Sequence, residues 1–254
     1  MTTAATGPGK ASGLTDLNAS TPTGFSLNRV TNADGVERLV LYDLLDPSLS
    51  PLSVDFTSAA LTHRLSHGFG RNQSIGRAIG LRAGEAAPFV IDATAGLGTD
   101  TLVMAALGCR VRAIERSETI FALLEDGKTR LEEKAIDDPS FLPLSQRFSF
   151  EHGDARSIIL SLSEAERPDV IYLDPMYPEE GRSKSALPKK SMQIFRRLLE
   201  GDLDADDLFS AAISRARKRV VVKRPLKAPH LASSRPTHIF EGKTARFDLY
   251  LTRA

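Results

Sequence analysis

A doubly wound, Rossmann-like α/β sheet is predicted by three observations in this 254-residue sequence. Apolar strand-like runs alternate with helical patterns after Gly84, a two-glycine turn joins the first of these strands to a helix, and acidic residues stand at successive strand ends. Repeated βα units imply a parallel sheet with helices on both faces, because right-handed crossovers return each strand beside its predecessor. Ligands in such sheets sit beyond the carboxyl ends of the strands, where the strand order reverses.

The elements follow in order. Residues 1 to 20 are rich in Ala, Thr, Gly and Ser without apolar periodicity and read as a mobile tail. Residues 21 to 84 form a small α+β unit: "FSLNRV", "VERLVLYDL" and "LSVDF" are short strand-like runs separated by turn signals. Two short helices then flank a Gly-Phe-Gly break in "TSAALTHRLSHGFGRNQSIGRAIGL". From residue 85 to 254 the strands are "PFVIDAT", "CRVRAIE", "FSFEHGD", "DVIYLDP" and "KRVVVKRP". The helices between them are "TDTLVMAAL", "SETIFALLEDGKTRLEEK", "ARSIILSLSE", "KKSMQIFRRLL" and "ADDLFSAAISRA", and "THIFEG" with "ARFDLYLTR" closes the chain as an antiparallel hairpin.

Composition narrows the function. A 41% hydrophobic content supports a real core, and no run approaches the roughly 20 apolar residues that span a bilayer. Lys and Arg number 33 against 32 Asp and Glu, a net charge of +1, so any nucleic-acid footprint is local. One cysteine excludes an internal disulfide and fits a reducing cytoplasm; Cys109 reads as a packing residue. His63, His67 and His152 are too scattered for a metal site.

"DATAGLGTD", Asp92 to Asp100, carries Gly96 and Gly98 at a strand-to-helix turn that allows close backbone approach to a ligand. The nicotinamide fingerprint places a glycine or alanine three residues after Gly98, where this chain has Thr101, and Asp100 would repel a pyrophosphate. Glu115 ends the next strand, where an acid accepts hydrogen bonds from ribose hydroxyls. Asp154 follows the third strand, placed for an adenine amino group or as the N-cap of the next helix. Asp92, Glu115 and Asp154 around a glycine turn suit a cationic, phosphate-free nucleoside, and S-adenosylmethionine is that molecule.

The strand "VIYLDPMYP" ends in a stiff corner. Asp174 terminates it, Pro175 and Pro178 fix the backbone, and Tyr177 offers a flat face for a nucleobase. Asp-Pro-X-Tyr resembles the Asp/Asn-Pro-Pro-aromatic motif of methyltransferases that act on exocyclic or amide nitrogens. The lone pair of such a nitrogen is delocalised, so Asp174 and the Pro175 carbonyl are placed to hold the NH2 group and stabilise the charge that develops on it. Arg182, Lys184, Lys189 and Lys190, and seven Lys or Arg from Arg215 to Lys227, flank the corner without an intervening acid. Of these, Lys184, Lys189, Lys190, Lys223 and Arg224 are the expected RNA phosphate contacts; a solvated face is the plain alternative. His63, Arg64 and Arg71 are further candidates to shape an RNA surface.

In order, "VDFTSAALTHR", "DATAGLGTD", "LGCRVRAIER", "YLDPMYP", "KSALPKK", "DLDADDL" and "KRVVVKRP" resemble the 16S ribosomal RNA guanine-N2 methyltransferases of the bacterial small-subunit methyltransferase J family, from about Val54 onward. The resemblance implies a class I methyltransferase sheet and methyl transfer from S-adenosylmethionine to a guanine N2, with 16S ribosomal RNA or the small ribosomal subunit as partner. It also implies cofactor contacts at Thr99, Asp100, Glu115, Arg116, Asp154, Ala155 and Asp174. A nicotinamide oxidoreductase would use Gly96, Gly98 and Glu115 but leave the Asp-Pro-Met-Tyr corner idle. A noncatalytic RNA-binding module would leave the cofactor constellation idle. DNA adenine or protein glutamine presents the same NH2 group as guanine and stays open as an acceptor.

Overall fold

The computed structural model describes residues 21–58, 73–176, 190–198 and 204–252. The expected tail, the segment holding His63, Arg64, His67 and Arg71, and Tyr177, Pro178, Lys184 and Lys189 all lie outside the described residues.

Strands β1 (Phe25–Thr31) and β2 (Glu37–Asp43) form an antiparallel hairpin, followed by the short helix α1 (Ser74–Ala78). The expected "LSVDF" strand is reduced to one bridge, Leu52 to Leu41. Beyond it the chain turns Val54 and Phe56 inward as buried packing groups, so the segment leaves the ladder after a single residue.

The main sheet contains β3 (Phe89–Asp92), β4 (Arg110–Glu115), β5 (Phe148–His152), β6 (Val170–Leu173), β7 (Arg219–Pro225), β8 (His238–Glu241) and β9 (Ala245–Leu251). Its order is β5-β4-β3-β6-β7-β9-β8. The strands from β5 across to β7 pair in parallel, and β9 runs against both β7 and β8. The closing hairpin therefore docks by its second strand, β9, and leaves β8 at the edge. The chain steps outward from β3 to β5 and returns to β6 on the other side of β3, which makes the carboxyl ends of β3 and β6 the switch point.

Alternation along the strands sends side chains to two cores. One face carries Val90, Val170, Tyr172 and Val221 beneath helices α2 (Thr99–Ala106), α3 (Glu118–Asp137) and α6 (Lys190–Leu198). The short α4 (Leu142–Ser145), preceded by a 3-10 turn at Pro139–Phe141, leads from α3 into β5. The opposite face carries Ile91, Ile171, Leu173, Val220 and Val222 beneath α5 (Ala155–Ser161) and α7 (Ala205–Arg215). All four β6 residues are buried, as covering both faces of a central strand requires.

The β1–β2 hairpin belongs to the first core through Leu27, Leu39 and Leu41. Asp126 of α3 fastens it there, accepting the Leu39 amide at 3.1 Å and Arg29 Nη1 at 3.2 Å. Val54 and Phe56 press on the same helix. A Cβ on Gly127 would stand 2.9 Å from Val54 Cγ1 and 3.1 Å from its carbonyl oxygen, which accounts for a glycine in mid-helix. Cys109 is fully buried beside β4, as a packing residue should be. No described helix is long and apolar enough to cross a membrane.

Candidate active site

The glycine turn is built from the inside. Asp92, only 1% exposed, points back into the turn: Oδ1 accepts the Thr94 amide at 3.2 Å and Oδ2 the Thr101 hydroxyl at 2.6 Å. Thr101, which stands where a dinucleotide turn has its third small residue, is fully buried and acts as the hydroxyl donor that satisfies this carboxyl. That pairing was absent from the sequence reading, and its signal was a hydroxyl residue nine positions after a strand-terminal acid. Gly96 and Gly98 have φ of 54° and 71°, the left-handed region that favours glycine. At Gly98 there is also no room, since a Cβ would lie 2.9 Å from Phe56 Cζ and 3.0 Å from Leu124 Cδ2.

Burial pushes the Asp92 carboxyl up to about 7, against the Thr101 hydrogen bond and with help from the Asp100 charge. Its ordinary value is 3.8, so between those values the folded chain holds a proton that the unfolded chain has released. Stability therefore falls as pH rises through that window. Asp92→Asn removes the titration, and its stability relative to the parent chain is expected to climb with pH by up to about 1.4 kcal/mol per unit. Urea unfolding at about pH 4.5 and pH 8 checks this; a pH-independent difference would show that Asp92 does not hold the proton.

Glu115, at the end of β4, ties the turn to its neighbouring strand. Its Oε2 accepts the Gly96 amide at 3.0 Å and its Oε1 the Ser117 amide at 2.8 Å. Both contacts are to backbone amides, so the carboxylate is held in place as an acceptor at the strand end. Arg116 is turned to the surface, with Nη1 3.1 Å from Asp204 Oδ1. Asp154 is the N-cap of α5: Oδ2 accepts the Ser157 amide at 2.8 Å and its hydroxyl at 2.5 Å, and the hydroxyl bond holds the carboxyl below its ordinary range. Ala155 is buried directly behind it, whereas Thr99 is exposed at the start of α2.

Asp174 follows β6 at the switch point. Its amide donates to Thr94 Oγ1 at 2.6 Å, which joins the corner to the glycine turn, and its side chain is 39% exposed. Pro175 is buried, so the corner is fixed on its inner side.

Lys223 and Arg224 do not face outward together as phosphate-binding cations. Neighbouring residues of a strand point to opposite faces. Lys223 shares the Tyr172 face and places Nζ 2.7 Å from Asp100 Oδ2 and 2.9 Å from Asp174 Oδ2. Arg224 points the other way, is 5% exposed, and donates from Nε to the Pro229 carbonyl at 3.2 Å. Lys190 opens α6. The Tyr172 hydroxyl completes the cluster, donating to Asp100 Oδ2 at 2.6 Å. Among the described residues no group of His, Cys, Asp and Glu could hold a metal ion.

The site is thus a ring of acceptors, Glu115, Asp154 and Asp174, around a backbone turn. Those acceptors match a ligand with hydroxyls, an amino group and positive charge. A family model described as putative SAM-dependent methyltransferase matches residues 17–252. The chain is 50% identical over 218 residues to the ribosomal RNA small subunit methyltransferase J of Aeromonas hydrophila, covering 85% of this chain and 84% of that one. It is 46% identical over 220 residues to the protein of the same name from Dechloromonas aromatica, covering 87% and 86%. Among solved structures, a SAM-dependent methyltransferase of Neisseria gonorrhoeae is similar with a TM-score of 0.66 at 30% identity, covering 95% of this chain and 92% of the other.

Proposed function

Because the chain belongs to the ribosomal RNA small subunit methyltransferase J family, we propose that it methylates the exocyclic N2 of a guanine in 16S ribosomal RNA, using S-adenosylmethionine. The observation that carries this reading is Asp174: a partly exposed carboxylate at the switch point, on a residue whose backbone amide donates to Thr94 Oγ1 beside the glycine turn. S-adenosylmethionine, when bound, supplies a methyl group on a positively charged sulfur that departs as a neutral thioether.

The chain's own residues do the rest by holding and orienting. Glu115 receives the ribose hydroxyls, and the turn of Gly96 and Gly98 brings the backbone close to the cofactor. Thr99, Arg116, Asp154 and Ala155 border it, with Asp154 keeping its capping bond to Ser157. Asp174 and the Pro175 carbonyl accept hydrogen bonds from the guanine NH2, turn its lone pair toward the methyl, and offset the positive charge that builds before the nitrogen sheds a proton. Tyr177 stacks on the base, while Lys184, Lys189 and Lys190 meet phosphates and position the RNA without reading its sequence.

Incubating the protein with methyl-labelled S-adenosylmethionine and small subunits that lack the modification, then digesting the RNA for mass spectrometry, tests the assignment. The expected product is labelled N2-methylguanosine. Label in adenine, or in ribosomal protein, would move the acceptor to a different NH2 group.

A further inference from the structure

We propose that Lys223 is a positioning residue of methyl transfer, one ammonium that clamps Asp100 of the cofactor turn to Asp174 of the reacting corner and balances their charge. This rests on the reading of Asp174 given under Proposed function, and it assigns Lys223 away from RNA.

Two carboxylates from different elements meet at the ammonium. It reaches Asp100 on α2 at 2.7 Å and Asp174 after β6 at 2.9 Å, and Tyr172 of β6 donates to the same Asp100 oxygen at 2.6 Å. Asp92 of β3 lies close enough for its charge to act on Tyr172. On β9 the residue paired with Lys223 is the apolar Phe247. Among the described residues the pocket thus holds three carboxyl groups, a phenol and one ammonium. A phosphate brought to Lys223 would meet the negative field of the two carboxylates that already hold it.

Burial works against the charged form of Lys223, but the Asp100 and Asp174 carboxylates outweigh it, and the ammonium titrates above its ordinary range. Burial, reinforced by Asp100 and Asp174, likewise keeps the Tyr172 phenol protonated. Its hydroxyl therefore remains a donor to Asp100, and the clamp is set on both sides. Without the ammonium, Asp174 would lose a cation 2.9 Å away while the Asp100 carboxylate stayed nearby, and it would take up a proton at higher pH. A protonated Asp174 presents a hydroxyl to the guanine amine in place of a full acceptor.

Lys223→Met and Lys223→Gln both remove the charge, the second while keeping a hydrogen-bond donor. Single-turnover methylation at saturating cofactor and RNA should show the acid limb of the pH–rate profile shifted upward by about 1–3 units in both variants. Below the shifted limb the rate should fall by about tenfold per pH unit, while RNA affinity and its salt dependence stay at parental values. Lys223→Arg keeps the charge and should keep the limb near its parental position.

A parental limb in the two uncharged variants overturns the proposal, as does an equal shift in Lys223→Arg. A shallower salt dependence with an unmoved limb makes Lys223 a phosphate ligand instead. Carboxyl-carbon NMR of Asp174 reads the same effect without substrate. If its titration moves in Lys223→Gln but the parent chain makes no methylguanine, the clamp stands and the guanine assignment falls.

Discussion

Asp174→Ala is expected to cut the single-turnover rate of methyl transfer by about 100-fold or more, the usual consequence of deleting a preorganised group aimed at developing charge. The fold should survive. The Asp174 amide keeps its bond to Thr94 Oγ1 whatever the side chain, and Pro175 stays buried behind it. Asp174→Asn separates the two duties of the carboxylate, because an amide oxygen still accepts from the guanine NH2 but carries no charge. It should fall between alanine and the parent chain. Near-parental turnover by the alanine variant, measured with cofactor and RNA both saturating, would remove Asp174 from the reacting groups.

Gly98→Ala is expected to destabilise the protein by about 2–4 kcal/mol, from the left-handed backbone and from overpacking together. The new methyl would lie 2.9 Å from Phe56 Cζ, 3.1 Å from Phe56 Cε1 and 3.0 Å from Leu124 Cδ2. Phe56 has little freedom to retreat, since its ring is stacked on Phe150 at 5.8 Å and meets the edge of Phe148 at 5.5 Å. Trimming Phe56 to leucine should therefore relieve part of the cost, so that the double variant is more stable than the sum of the single losses predicts. Denaturant unfolding of the four proteins checks this. Additive losses would mean that Gly98 is needed for its backbone angle alone.

The parallel sheet could be read from the sequence because each strand is a short apolar run bounded by turn residues, and the helices between them repeat at a different period. The placement of Asp174 followed from the same pattern, as a polar residue where an apolar strand stops. What could not be read was direction. Lys223 and Arg224 are adjacent in a basic run and look alike on paper, yet the pleat sends one to Asp100 and the other to the Pro229 carbonyl. Asp100 and Lys223 are 123 positions apart, and no local spacing encodes a pair at that distance. The strand end places Asp92 at the cofactor turn, but spacing alone does not show that its carboxyl accepts from Thr101 and Thr94 within that turn. The "LSVDF" segment misled because burial of Val54 and Phe56 produces the apolar signal of a strand without its ladder.

The packing of the first strands under α3 bears on how the chain folds as it is made. A two-stranded hairpin is marginal by itself in water, and the apolar residues Leu27, Leu39, Leu41, Val54 and Phe56 find their cover on a helix that begins at Glu118. Asp126 and Arg130, which bind the Leu39 amide and the Val54 carbonyl, are synthesised later still. At ordinary elongation rates the apolar surface of the hairpin waits roughly 5–20 s for its partner. Closure of that long loop is a nonlocal step, of the kind that slows folding. The hairpin, translated before α3, is thus expected to become native only once that helix is complete.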